Sequence, residues 1–316
     1  MVLAVPRLMQ PFEIDSMEGG HIAMTARLAA GQPLYPQPGI HYAPLNYTPV
    51  FFHAAEFVER LHLGVYFGIR AVSLFGALWA ALLIVVVARK SRASTMITLA
   101  AVGTFLGYSS RCSFNLDSGR VDTLALAFSL SALTLLFEGR RTLMFAVVAG
   151  ALAGLGFLTK QTMIVWMVVP AVWLAFHRDW SRSFAFAAAA GLTIVGVLWW
   201  WGYLFDPWFY YCIFKVQSTH HIRLLGLLVL APVYLILTLP AGLFFGVLGS
   251  AIGDIPGALG ARLRRWLEDP WAVLLLVFIA MALAAKAKDG GGENVFIPVV
   301  ALGAVQIARL GDRLAR

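Results

Sequence analysis

Apolar residues run along most of this chain in long blocks rather than alternating at the period of a strand. From Arg70 onward the blocks fall at about 70–88, 94–110, 121–137, 142–159, 162–176, 184–204, 224–250, 271–285 and 295–309, with short polar breaks between them. A helix needs about 20 apolar residues to cross a bilayer. The pattern therefore predicts an all-α, polytopic membrane helix bundle of about nine spans, the shortest of which borrow flanking residues or sit in thinned bilayer. No repeat stands out at a fixed period, and Gly150, Gly154 and Gly156 are spaced for close helix packing.

Residues 1–69 break the pattern. Seven prolines, at 6, 11, 33, 36, 38, 44 and 49, forbid a long spanning helix there. Two short stretches suit helices lying at the membrane surface. One covers 17–30, with Met17, Ala23, Met24 and Leu28 apolar and His21, Thr25 and Arg27 polar; the other covers 50–63, with Phe51, Phe52, Phe57, Val58 and Leu61 turned to lipid. The expected organisation is an outer loop over 1–69 and a single membrane unit over 70–316. The start of the chain does not read as a signal peptide, because its apolar run ends at Pro6.

Composition sharpens this. Of 316 residues 60% are apolar and 13% charged, with a mean hydropathy of +0.79, whereas soluble domains carry about 25% charge. An ordinary soluble enzyme, a disordered chain and a nucleic-acid-binding module are excluded. The net charge of +8 follows from Lys and Arg in cytoplasmic loops and names no partner. Thirteen of the 24 basic residues fall on one side, including Arg89, Lys90, Arg140, Arg141, Arg178 and Arg262, Arg264 and Arg265, which is assigned to the cytoplasm. Ten of the 16 acids fall on the other, which faces outward. The two cysteines, Cys112 and Cys212, make no disulfide framework and are expected as free thiols, though one bridge between them is open.

Ionisable groups at the rim of a lipid-embedded bundle are costly, so clusters of them are functional candidates. Four lie on the outer side. The first holds Asp15, Glu18 and His21, followed by Gly31-Gln32-Pro33-Leu34-Tyr35 and Asn46-Tyr47-Thr48-Pro49; its carboxylates suit deprotonation of a hydroxyl or binding of a divalent cation, or Asp15 or Ser16 simply caps a helix. The second is Asp117 to Asp122, where the fork of Arg120 suits an anion and an ion pair with Asp122 is the plainer reading. The third is Thr159-Lys160-Gln161-Thr162, where Lys160 either snorkels to water or meets a phosphate. In the fourth, Lys286 to Phe296, glycines allow close backbone approach and Glu293 and Asn294 suit sugar hydroxyls, or the segment is a flexible turn. His220 and His221 point apart on a helix, and the aromatic residues around Asp206 read as an interfacial belt.

In order and spacing, these segments resemble the C-type (GT-C) glycosyltransferase superfamily, specifically the bacterial family 39/RgtA-like membrane enzymes. The resemblance rests on Asp15 through Gly19, Ala29 through Tyr35, Tyr47-Thr48-Pro49, Arg120 through Leu126, Lys160-Gln161-Thr162 and Gly292 through Phe296. It implies a hexosyl- or pentosyltransferase of the bacterial inner membrane, with its site on the periplasmic or outer side. The implied donor is a polyprenyl-phosphate-linked sugar, the partners a lipid or glycan acceptor and membrane lipids, with no nucleic acid. Glu18 and Asp15 would be catalytic, and Arg120 and Lys160 would hold the donor phosphate. Asp122, His21, Tyr47, Glu293 and Asn294 would complete substrate binding. A divalent cation is left open. Many relatives carry adjacent Asp-Glu in this loop, where here Met17 precedes Glu18, and they begin with a spanning helix where only Met1–Met9 precede Pro11. The alternatives are therefore an inactive truncated homologue, or a transporter or flippase of a lipid-linked or anionic substrate.

Overall fold

The computed structural model describes residues 4–15, 17–40, 42–108, 116–219, 268–288 and 291–314, together with positions 221, 228, 229 and 233. Among them the chain is helical, without strands. The order is α1 (Ala4–Leu8), α2 (Glu18–Ala29), α3 (Val50–Val58), α4 (Val65–Lys90), α5 (Thr95–Gly107), α6 (Asp122–Leu133), α7 (Leu143–Thr159), α8 (Val165–Phe176), α9 (Trp180–Trp200), α10 (Pro207–Tyr210), α11 (Val216–Ser218), α12 (Pro270–Lys286) and α13 (Ile297–Leu314). Helices stand at eight of the nine apolar blocks; the ninth, 224–250, lies outside the described residues apart from 228, 229 and 233. By length and composition two of them, α4 and α9, are sufficient to cross a membrane, while α5, α7, α12 and the segment Gln161–Phe176 are shorter apolar helices.

Local chemistry sets several ends. Ser94 and Thr142 accept the N–H of Ile97 and Phe145 at the starts of α5 and α7, and Asp206 and Asp269 do the same for Trp208 and Trp271 at the starts of α10 and α12. Pro207 and Pro270 follow those two caps, where a missing N–H costs nothing.

The chain forms two compact units. The first holds residues up to Ala80 and 114–219. In it α7 packs on α6 and α9, and small residues let the backbones approach. A side chain at Gly150 would sit 2.2 Å from the carbonyl oxygen of Phe186, and one at Gly154 would sit 2.8 Å from that of Ala190, so both glycines face α9 as the spacing predicts. Gly156 faces α6 instead, against Ser129. The second unit holds 81–113 and 220–316. There α13 packs on α5 and α12, and Arg309 pairs with the α12 cap, Asp269.

The short helices of the N-terminal segment form close to the expected places, but their faces differ from expectation. On α3 Phe51 and Phe52 are fully buried, in ring contact with His21 and within a core that includes Met24 and Tyr47, while Phe57 and, just past the helix, Leu61 are exposed. On α2 the polar His21 and Thr25 line the buried face together with Met24 and Glu18.

What holds this segment to the bundle is Arg70, in the second turn of α4 and fully buried. Its Nε donates to Glu18 Oε1 at 2.8 Å and its Nη2 to Glu18 Oε2 at 2.9 Å. The remaining donors reach the carbonyls of Arg7, Gln10 and Phe12. All five guanidinium N–H groups are thereby used on one loop. Glu18 is equally enclosed, and its Oε2 also accepts the Ile14 N–H at 2.7 Å.

Two stability outcomes follow, both read by denaturant unfolding in detergent. Gly150→Ala is expected to cost about 1–3 kcal/mol, because backbone must move to admit the methyl. Gly191→Ala, with open space around it, is expected to be neutral or to stabilise by up to about 1 kcal/mol; the reverse order would deny that Gly150 sets the α7–α9 approach. Glu18→Gln, which leaves a buried guanidinium without its counter-ion, should cost about 3–5 kcal/mol. Arg70→Met should cost more, since three carbonyls are orphaned as well; equal losses would mean that those carbonyls contribute nothing.

Candidate functional site

Three of the four clusters come together in the first unit. Asp15 precedes α2, and its Oδ1 accepts the N–H of Met17 at 2.7 Å and of Glu18 at 3.3 Å, satisfying donors at the helix start. The same carboxylate takes a forked pair of bonds from Arg120, 2.9 Å from Nη2 and 3.1 Å from Nε. Arg120 is placed by its own backbone: its carbonyl accepts from Ser73 Oγ at 2.6 Å, and Thr123 Oγ1 returns a bond to the Ser73 carbonyl at 2.6 Å. Gly76 permits this approach of α4 to α6, since a Cβ there would lie 2.5 Å from the Leu124 nitrogen. Just before Arg120, Gly119 has φ of +65°, and a side chain would strike Ile69 and Glu18 Oε1. Asp117 binds Arg7 at 3.2 Å.

Asp122 opens α6 and pairs with Lys160, the residue that ends α7. Lys160 is buried, so its ammonium meets a carboxylate and does not snorkel to water. It also lies 5.9 Å from the centre of the Tyr47 ring. The Tyr47 segment is tied to the same corner: Thr48 Oγ1 donates to the Phe157 carbonyl at 2.9 Å, the Gln161 amide donates to the Asn46 carbonyl, and Tyr35 OH donates to the Tyr47 carbonyl at 2.7 Å. His21 stacks on Tyr47 at 5.2 Å and on Phe52 at 5.9 Å, with its Nδ1 2.8 Å from the Met17 carbonyl oxygen.

The fields of these groups overlap. Burial raises the pKa of Asp15, but the Arg120 guanidinium and the two N–H donors outweigh it and hold the carboxyl below its usual range. Burial works against the charge of Arg120 and of Lys160, yet Asp15 and Asp122 for the first and Asp122 and Tyr47 for the second keep both firmly protonated. Burial lowers His21 to about 4, so its imidazole is neutral at physiological pH.

Asp15, Arg120, Asp122, Lys160, Tyr47 and His21 thus form one arrangement of two cations, two carboxylates and two rings. Asp15 and Glu18 do not share a helix face; α2 begins only at Glu18, and the two acids turn to different arginines. Asp122 likewise bonds Lys160 rather than Arg120. Glu293 and Asn294 belong to the second unit, where Glu293 pairs with Lys286 at 2.9 Å and Asn294 is buried. Sequence reasoning missed Arg70 and Ser73. The signal for Arg70 was present, since an arginine entering a 26-residue apolar helix needs a partner. Among the described residues no group of three or more His, Cys, Asp or Glu is placed to hold a metal ion. Cys212 is a buried free thiol, while Cys112, His220 and the Arg262 to Arg265 stretch lie outside the described residues.

His21 titrates near 6.5 when unfolded and at about 4 when folded, so the unfolded chain takes up its proton first as pH falls. The contribution of His21 to stability is complete above pH 6.5 and declines toward pH 4, by up to about 3 kcal/mol. His21→Phe is expected to flatten that slope in a pH series of unfolding curves, leaving the part due to His53, which burial also lowers to about 4. An unchanged slope would place the imidazole in water.

No protein-family model matches the sequence, and no curated protein is found similar to it. Solved structures are. The crystal structure of ArnT from Cupriavidus metallidurans in the apo state matches with a TM-score of 0.68 at 17% identity, over 98% of this chain and 57% of that one. ArnT from the same organism bound to undecaprenyl phosphate matches with a TM-score of 0.67 at 15% identity, over 98% and 58%. This chain therefore spans just over half the length of the solved chains it matches. Helix order, apolar character and this superposition agree: the chain has the membrane GT-C fold of these solved chains.

Proposed function

We propose that the protein is an integral-membrane glycosyltransferase that moves a sugar from a polyprenyl-phosphate donor to a lipid or glycan acceptor at the outer face of the bacterial inner membrane. One observation carries the reading: two carboxylates, each held by its own cation, stand together in a fold that in ArnT has been solved with undecaprenyl phosphate bound.

The chemistry suits such a reaction. The acceptor oxygen forms a bond to the anomeric carbon, the bond from that carbon to the phosphate oxygen breaks, and the electron pair leaves on the phosphate. The acceptor's proton goes to a carboxylate. The leaving phosphate gains negative charge, which Arg120 and Lys160 offset, most strongly where water is excluded. Without a ligand those cations are spent on Asp15 and Asp122. A phosphate that draws them away leaves a carboxylate with spare acceptor capacity beside the incoming hydroxyl. Base strength is then raised by the act of donor binding. Glu18, enclosed on Arg70, supports the loop that presents Asp15.

The test is transfer by purified protein supplied with undecaprenyl-phosphate sugars and a membrane acceptor fraction. Arg120→Met and Lys160→Met are each expected to lower turnover by about 10²–10³-fold. Asp15→Asn or Asp122→Asn, whichever removes the proton acceptor, should lower it by about 10²–10⁴-fold. Turnover indifferent to all four substitutions would defeat the assignment. Movement of the lipid between leaflets without glycosyl transfer would make the protein a flippase.

A further inference from the structure

One polar atom in this cluster has no use in the scheme above. His21 is fully buried, and its Nε2 has no hydrogen-bond partner among the described residues. The other ring nitrogen settles its state. Nδ1 lies 2.8 Å from the Met17 carbonyl oxygen, which can only accept, so Nδ1 carries the hydrogen. Burial keeps the ring neutral. Nε2 is then a bare lone pair, and leaving such an acceptor unfilled costs about 1–3 kcal/mol.

The ring cannot turn to relieve this. Tyr47 and Phe52 lie nearly parallel to it at interplanar angles of 23° and 20°, Phe51 meets it edge-on at 78°, and the Nδ1 bond fixes its rotation. A phenylalanine would fill the same space without the cost.

What could fill the lone pair is narrow. The side-chain hydrogen bonds of Arg120, from Nε and Nη2, go to Asp15, and that of Lys160 goes to Asp122. A metal ion would need further ligands, and among the described residues no such group is present. The oxygens of a phosphodiester only accept, so the lipid phosphate cannot serve. A neutral O–H can.

We infer that His21 Nε2 accepts a hydrogen bond from a hydroxyl group of the carbohydrate, which makes His21 a specificity residue for the sugar rather than for the lipid phosphate. This rests on the glycosyltransferase reading. The hydroxyl belongs either to the donor sugar or to the acceptor, and recognition follows the rule that a site built to bond a hydroxyl discriminates strongly against a ligand lacking it.

The experiment measures binding of undecaprenyl phosphate and of its glucosyl, mannosyl and arabinosyl esters to the intact protein, alongside transfer and slow donor hydrolysis. It compares wild type, His21→Phe and His21→Gln. His21→Phe keeps the stacked ring and removes the acceptor; His21→Gln restores an acceptor oxygen. If the hydroxyl is the donor's, His21→Phe weakens the preferred sugar ester about tenfold, leaves undecaprenyl phosphate unchanged, and is partly rescued by His21→Gln. If it is the acceptor's, donor binding and hydrolysis are unchanged and only transfer falls. In either case the ¹⁵N resonance of Nε2 in wild type, unprotonated when free, shifts when the relevant substrate binds. A His21→Phe protein equal to wild type in every measurement overturns the inference, because Nε2 then holds at most a buried water. Equal weakening of all four lipids overturns it too, since the role is then structural. A folded wild type that binds none of them sinks the glycosyltransferase reading, and the inference with it.

Discussion

The enclosed guanidinium of Arg70 is the constraint on which the N-terminal half of the structure depends. An arginine buried with every donor occupied must be surrounded by acceptors in fixed directions, and here one short loop supplies them all. Neither the loop nor the charge is tolerable alone. The loop would leave the carbonyls of Arg7, Gln10 and Phe12 and the Glu18 carboxylate without this donor, and α4 would carry an unpaired cation in its apolar run. Together they fix where α2 begins, and from that starting point Asp15 and His21 take their places.

Around that anchor the ions are segregated by partner. Glu18 goes to Arg70, Asp15 to Arg120, Asp122 to Lys160 and Asp117 to Arg7, so each carboxylate is matched by a separate cation and the group is neutral as a whole. In low dielectric such matching is what makes it tolerable to bury Glu18, Asp117 and Asp122 and to half-bury Asp15. It also divides the ions by accessibility. The Glu18–Arg70 pair is sealed, whereas side chains of the Asp15–Arg120 pair keep 19% and 12% exposure, enough to meet a ligand.

Helix positions were largely legible from the chain, because long apolar blocks bounded by Ser94, Thr142, Asp206 and Asp269 leave few alternatives. Six residues of the candidate site were also legible as ionisable or aromatic candidates: Arg120, Asp122 and Lys160 stand at the edges of apolar runs, and Asp15, His21 and Tyr47 lie in the proline-rich segment before them. Pairing was not. Asp15 and Glu18 stand three apart and suggest a shared helical face, but Asp15 lies ahead of the helix, and spacing rules apply only inside it. Phe51 and Phe52 read as lipid-facing because nothing in their own segment covers them; their cover is a core that brings in His21, Met24 and Tyr47 from outside that segment. Partner choice across such distances depends on tertiary approach, such as that of Gly76 to Leu124, which no local window contains.

Asp15 is fastened twice, to Arg120 by its side chain and to the backbone of α2 by the same oxygen. The second tether belongs to the scaffold and persists whatever Arg120 does. A carboxylate that loses its cation to an incoming anion therefore stays oriented instead of swinging after it. Such an arrangement lets the loop keep its shape when its arginine is withdrawn, with the movement left to the tip of that basic side chain.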